Sequence, residues 1–114
     1  MNDKEKIDLV LKEICRHYNL DFEILTNRGT GRRILRKPEY VRARWVFYKW
    51  VRDHTELTLQ SIGEYFQSES KPVHYSTVIH GIFAFEGEIS IYPKVARDYY
   101  ALCQVFKEKI EHEE

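Results

Sequence analysis

Apolar side chains return at three- and four-residue steps through most of this chain, and no sustained two-residue alternation replaces them. That period places apolar groups on one stripe of an α-helix, so the chain is expected to fold as an all-α protein. Ile7, Val10, Leu11, Ile14, Cys15 and Tyr18 form the first stripe, a helix over about residues 4–18 with Asn2 or Asp3 as its cap and Asn19 as its stop. Asp21 is suited to cap a short second helix through Leu25. Pro38 suits the first turn of a third helix over about 38–53, where its missing N–H costs nothing. Val41, Trp45, Val46, Tyr48, Trp50 and Val51 make that helix apolar on more than one side, which marks it as the most enclosed. Thr58 is an N-cap for a fourth helix from Leu59 to Phe66. A polar turn from Gln67 to Val73 leads to a fifth helix, His74 to Ala84, with Tyr75, Val78, Ile79 and Ile82 on its inner stripe. Gly87 and Ser90 break the pattern, and Glu88 to Tyr92 reads as a short extended piece. Pro93 starts the last helix, whose inner face is Val95, Tyr99, Leu102, Cys103, Phe106 and Ile110.

With 114 residues and a hydrophobic fraction of 43%, the chain has enough apolar surface for a core, and residues 1–114 are expected to form one domain. No run approaches the roughly 20 apolar residues of a membrane span, and the polar stretch Met1 to Lys6 does not read as a signal peptide. Cys15 and Cys103 stand far apart; one disulfide between them stays open as an alternative, but with no secretory signal both read as small buried hydrophobes in a reducing cytoplasm. Trp45, Trp50 and the pair Tyr99-Tyr100 read as core residues.

The formal net charge of zero hides an uneven distribution. Residues 28–52 hold nine cations (Arg28, Arg32, Arg33, Arg36, Lys37, Arg42, Arg44, Lys49 and Arg52) against Glu39 alone. Half of the chain's 18 Lys and Arg therefore sit in one short segment, the footprint expected of a polyanion site. Gly29-Thr30-Gly31 is too little for a phosphate loop and reads as a hinge that lets Arg28, Arg32 and Arg33 reach a groove. The stretch Thr58–Ala84 then reads as helix, turn, helix. In that motif the second helix enters the DNA major groove, leading with its first residues. If Val78, Ile79 and Ile82 face the core, then Ser76, Thr77 and His80 face outward with His74 at the leading end, all short or polar enough to pair with phosphates or bases.

Three blocks carry a resemblance: Arg36-Lys37-Pro38-Glu39-Tyr40-Val41-Arg42-Ala43-Arg44, Leu57-Thr58-Leu59-Gln60-Ser61-Ile62-Gly63, and His74-Tyr75-Ser76-Thr77-Val78-Ile79-His80. In order and spacing, from about Ile7 to Phe106, they resemble the C-terminal DNA-binding domain of the bacterial replication initiator DnaA. The resemblance implies a six-helix, Trp-repressor-like fold that reads double-stranded DNA. It also implies roles. Arg44 falls where an arginine fixes the long helix to the DNA backbone, Arg36 where a basic loop residue enters the minor groove, and Arg52 at a further phosphate contact. Leu59-Gln60 falls at a helix start near phosphate, Ser76 and Thr77 at a hydroxyl pair, and His80 at the signature's last histidine. Three departures bear on which sequence is read rather than on DNA binding as such. His74 and Tyr75 replace an Asp-His pair, Val73 stands where arginine is frequent, and the turn before His74 is about two residues longer.

The expected DNA-contacting set is therefore Arg32, Arg33, Arg36, Lys37, Arg44, Arg52, Gln60, His74, Tyr75, Ser76, Thr77 and His80. Tyr75 is ambiguous, because it also lies on the inner stripe and reads as half core. Histidines near phosphate favour their protonated form, so binding is expected to strengthen toward mildly acidic pH. The expected partner is double-stranded DNA, in the cytoplasm and at the nucleoid; the rival is a protein-binding module that keeps the fold and takes a replication or regulatory protein. No enzyme activity, cofactor or metal is expected. The chain lacks the G-x-x-x-x-G-K-[ST] nucleotide loop. Glu13 and His17 have ligand spacing but no third partner, His74 and His80 are six apart, and no carboxylate cluster accompanies Tyr75 as a strand-transfer nucleophile.

Overall fold

A computed structural model describes residues 1–26, 37–68 and 71–113. Among them lie six helices: α1 (Asp3–Tyr18), α2 (Phe22–Leu25), α3 (Pro38–His54), α4 (Leu59–Gly63), α5 (Tyr75–Ile91) and α6 (Pro93–Glu113). The helix starts follow from local chemistry. Asn2 accepts the Glu5 N–H at 2.9 Å, Asp21 accepts the Ile24 N–H at 3.0 Å, and Thr58 accepts the Ser61 N–H at 3.1 Å. Each satisfies a donor that the first helical turn leaves without a partner. Pro38 stands in the first turn of α3. Asn19 ends α1 in the left-handed region, at φ 55° and ψ 52°, where asparagine is tolerated better than most side chains.

Two expectations about boundaries are corrected. Helix α4 ends at Gly63, and a turn through Phe66 leads to a two-residue antiparallel ladder, Gln67 opposite Pro72 and Ser68 opposite Lys71. Helix α5 does not stop at Ala84, and Glu88 to Ile91 is helical rather than extended. A single glycine costs a helix only about 1 kcal/mol, and the last turns of α5 are held from outside by a 2.7 Å ion pair between Glu88 and Arg42 of α3.

The core is one cluster to which all the helices contribute. α3 is its centre: Ala43, Val46, Phe47, Tyr48, Trp50 and Val51 are buried on it, as its many-sided apolar pattern requires. Phe66, in the α4–α5 connection, packs on α3, edge-on to Phe47 at 5.1 Å and to Tyr48 at 5.5 Å. The inner stripe of α6 is Tyr99, Leu102 and Phe106. Trp45 is half-buried, whereas Tyr100 is 61% exposed and is not the core residue expected of it. Cys15 is buried and Cys103 half-buried, both as free thiols. Among the described residues no helix is long and apolar enough to cross a membrane.

Candidate nucleic-acid interface

Two glycines set the placement of α5. A Cβ on Gly63 would lie 2.2 Å from the carbonyl oxygen of Val73, so only glycine lets the strand entering α5 pass this close to α4. The same approach lets the Val73 N–H donate to Gly63 O at 3.2 Å and to Phe66 O at 3.1 Å. At Gly81 a Cβ would meet the Trp45 ring at 2.7 Å and the Tyr48 ring at 3.1 Å. α5 therefore lies with its backbone directly on two aromatic rings of α3.

With Val78, Gly81, Ile82 and Phe85 turned inward, His74, Tyr75, Ser76, Thr77, His80 and Phe83 are exposed. All five α5-region residues expected at the interface thus lie on its solvent side. Tyr75, expected to be half core, is 52% exposed, because the inner stripe starts only at Val78. Gln60 and Glu64 of α4 and its following turn join Val73, His74 and Tyr75 around one shallow cleft at the start of α5. His74 is the N-cap of α5: its Nδ1 accepts the Ser76 N–H at 3.1 Å and lies 2.7 Å from the Ser76 hydroxyl. Phe83 is a member of this face that the sequence reading did not single out. Its position one turn beyond His80, off the inner stripe, was the available signal. It is 58% exposed, and the Arg52 guanidinium sits over its ring at 6.0 Å.

The cations of α3 divide into two groups. Arg42 pairs with Glu88 at 2.7 Å, and Lys49 with Asp53 at 2.9 Å and Glu86 at 3.2 Å. These two are neutralised within the fold and leave the basic cluster less positive than its count. Arg44 and Arg52, both in the expected contact set, have no carboxylate partner among the described residues. Arg44 is half-buried. It donates Nε and Nη2 to the Leu25 carbonyl at 3.3 and 3.1 Å and lies over the Phe66 ring at 5.2 Å, beneath the turn that leads into α5. Burial lowers its pKa, while the neighbouring Tyr48 acts in the opposite direction. Lys37 is exposed and precedes α3 without a side-chain cap bond. Arg28, Arg32, Arg33, Arg36 and the hinge reading of Gly29-Thr30-Gly31 lie outside the described residues. No cluster of three or more His, Cys, Asp or Glu able to hold a metal occurs among the described residues.

This arrangement defines a class: a helical chain that turns His74, Ser76, Thr77 and His80 of one helix to solvent, with Arg52 against the same helix and without a carboxylate partner among the described residues. The chain is 33% identical over 84 residues, 74% of its length, to the chromosomal replication initiator protein DnaA of Oleidesulfovibrio alaskensis. It spans 16% of that protein's length. No protein-family model matches the chain, and no solved structure matches it.

Proposed function

We propose that this chain binds double-stranded DNA, with α4 and α5 acting as a helix-turn-helix and the 28–52 segment gripping the backbone. The observation that carries this reading is the division of the α3 cations. Among the described residues Arg42 and Lys49 are neutralised by carboxylates, whereas Arg52, against Phe83 on the exposed side of α5, and Arg44, against Phe66 of the α4–α5 connection, are left without them. In this reading Arg32, Arg33, Arg36, Lys37, Arg44 and Arg52 contact phosphates, Gln60 meets phosphate at the start of α4, and His74, Tyr75, Ser76, Thr77 and His80 approach base edges in the major groove. Likeness to part of DnaA favours a role in replication or its regulation, at the nucleoid. Binding, rather than catalysis, is the activity proposed.

Selecting bound duplexes from a random pool at two salt concentrations tests this. Counterion release predicts at least a tenfold loss of affinity from about 50 to about 200 mM salt, together with an enriched sequence. Recovery of no duplex above background would overturn it. A second reading, a protein-binding module, is favoured by one observation: Glu64 lines the cleft beside His74, and Tyr75 and Phe83 are exposed apolar groups on the same face. That reading predicts a partner whose binding survives salt that abolishes DNA binding.

A further inference from the structure

Ser76 offers His74 two groups, and one of them leaves no choice of hydrogen position. A backbone N–H can only donate. It reaches His74 Nδ1 at 3.1 Å, so that nitrogen must carry a lone pair. A neutral imidazole with an acceptor at Nδ1 carries its hydrogen on Nε2. The Ser76 hydroxyl, 2.7 Å from the same nitrogen, then donates as well, so its hydrogen is committed inward and only its lone pairs remain for a partner.

We infer that the cap of α5 fixes His74 as the Nε2–H tautomer, making it a one-directional donor at the leading edge of α5 and Ser76 an acceptor beside it. The inference rests on the DNA-binding reading for its partner, but not for the tautomer. In a major groove such a donor matches purine N7, guanine O6 or thymine O4, and such an acceptor matches the amino groups of adenine or cytosine. Ser76 is thereby a positioning residue for His74 as well as a contact in its own right. Among the described residues the charged and titratable groups that share this cleft with His74 are Glu64, just after α4, and Tyr75, whose ring centroid lies 4.4 Å from that of His74.

The test has two arms on the full chain. Nitrogen NMR of the imidazoles at about pH 8, where neutral histidine dominates, should show His74 with hydrogen on Nε2 and a bare Nδ1. A ring with hydrogen on Nδ1, or an even mixture of tautomers, overturns the inference whether or not the protein binds DNA. The second arm compares His74→Thr with His74→Asn on the duplex selected from the random pool. Threonine keeps a cap oxygen but lacks the reach to donate outward. Asparagine keeps both a cap oxygen and an outward N–H. His74→Thr should melt like the parent yet bind that duplex about tenfold or more weakly, with His74→Asn restoring most of the loss. Equal affinity of all three proteins overturns the donor role. If the parent binds no duplex, the DNA-binding reading fails with the donor role, while the NMR result still decides the tautomer.

Discussion

Arginines 44 and 52 look equivalent in sequence but have different surroundings, and their variants should separate. Arg52 is exposed and among the described residues touches the Phe83 ring alone, so Arg52→Ala should leave stability unchanged. It should weaken every duplex alike and lower the salt slope by about one, read by titration at several salt concentrations. Arg44→Ala should weaken all duplexes too, but it also deletes the bonds to Leu25 O and should cost about 1–3 kcal/mol of stability. Thr77→Ala should act differently, costing about 1–3 kcal/mol on the preferred site and little on others. The exposure of Ser76, Thr77 and His80 was legible in sequence because burial follows helical spacing. The coupling of His74 to Ser76 was not, since it depends on the conformation of the cap rather than on residue type.

Helix starts were more legible than helix ends. Asn2, Asp21, Pro38 and Thr58 announce their helices because the first turn is set locally, by one residue and the few N–H groups that follow it. The end of α5 was less legible because Gly87 and Ser90 are weak helix formers, while the Arg42–Glu88 pair that holds this stretch comes from α3, 46 residues away. Two glycines of one chain should therefore respond oppositely to alanine. A Cβ added at Gly87 would meet nothing within 4 Å, and Gly87→Ala should raise stability by about 0.5–1 kcal/mol. Gly63→Ala forces a Cβ against the Val73 carbonyl and should lower stability by about 3 kcal/mol, and DNA affinity with it, as α5 is pushed from its seat. Thermal melts of both variants check the contrast. The length of the Gln67–Pro72 connection was readable; its closure by a two-residue ladder was not, because pairing this short is set by where its ends are held.

At the scale of the molecule, the fold class and the central place of α3 were visible in the apolar period, whereas the charge of the surface was not. A count of cations takes no account of which ones fold back onto carboxylates, as Arg42 and Lys49 do. The core should also show in an alkaline melt. Burial, with a smaller contribution from Asp21, pushes the Cys15 thiol from its ordinary 9.0 to about 11. Burial likewise pushes the Tyr48 phenol from 10.0 to about 12, against the pull of Arg44. Both groups hold their protons more tightly when folded than when unfolded. The stability they supply is whole below about pH 9 and is lost as pH climbs through 11 to 12. The melting midpoint should fall across that window, and Cys15→Ala should flatten the earlier part of the fall. Finally, where α3 and α5 cross at Gly81, aromatic rings rest on bare backbone with no flexible side chain between them. The spacing of the two helices is thus fixed like the jaws of a set caliper, and any larger residue at position 81 would have to spread them.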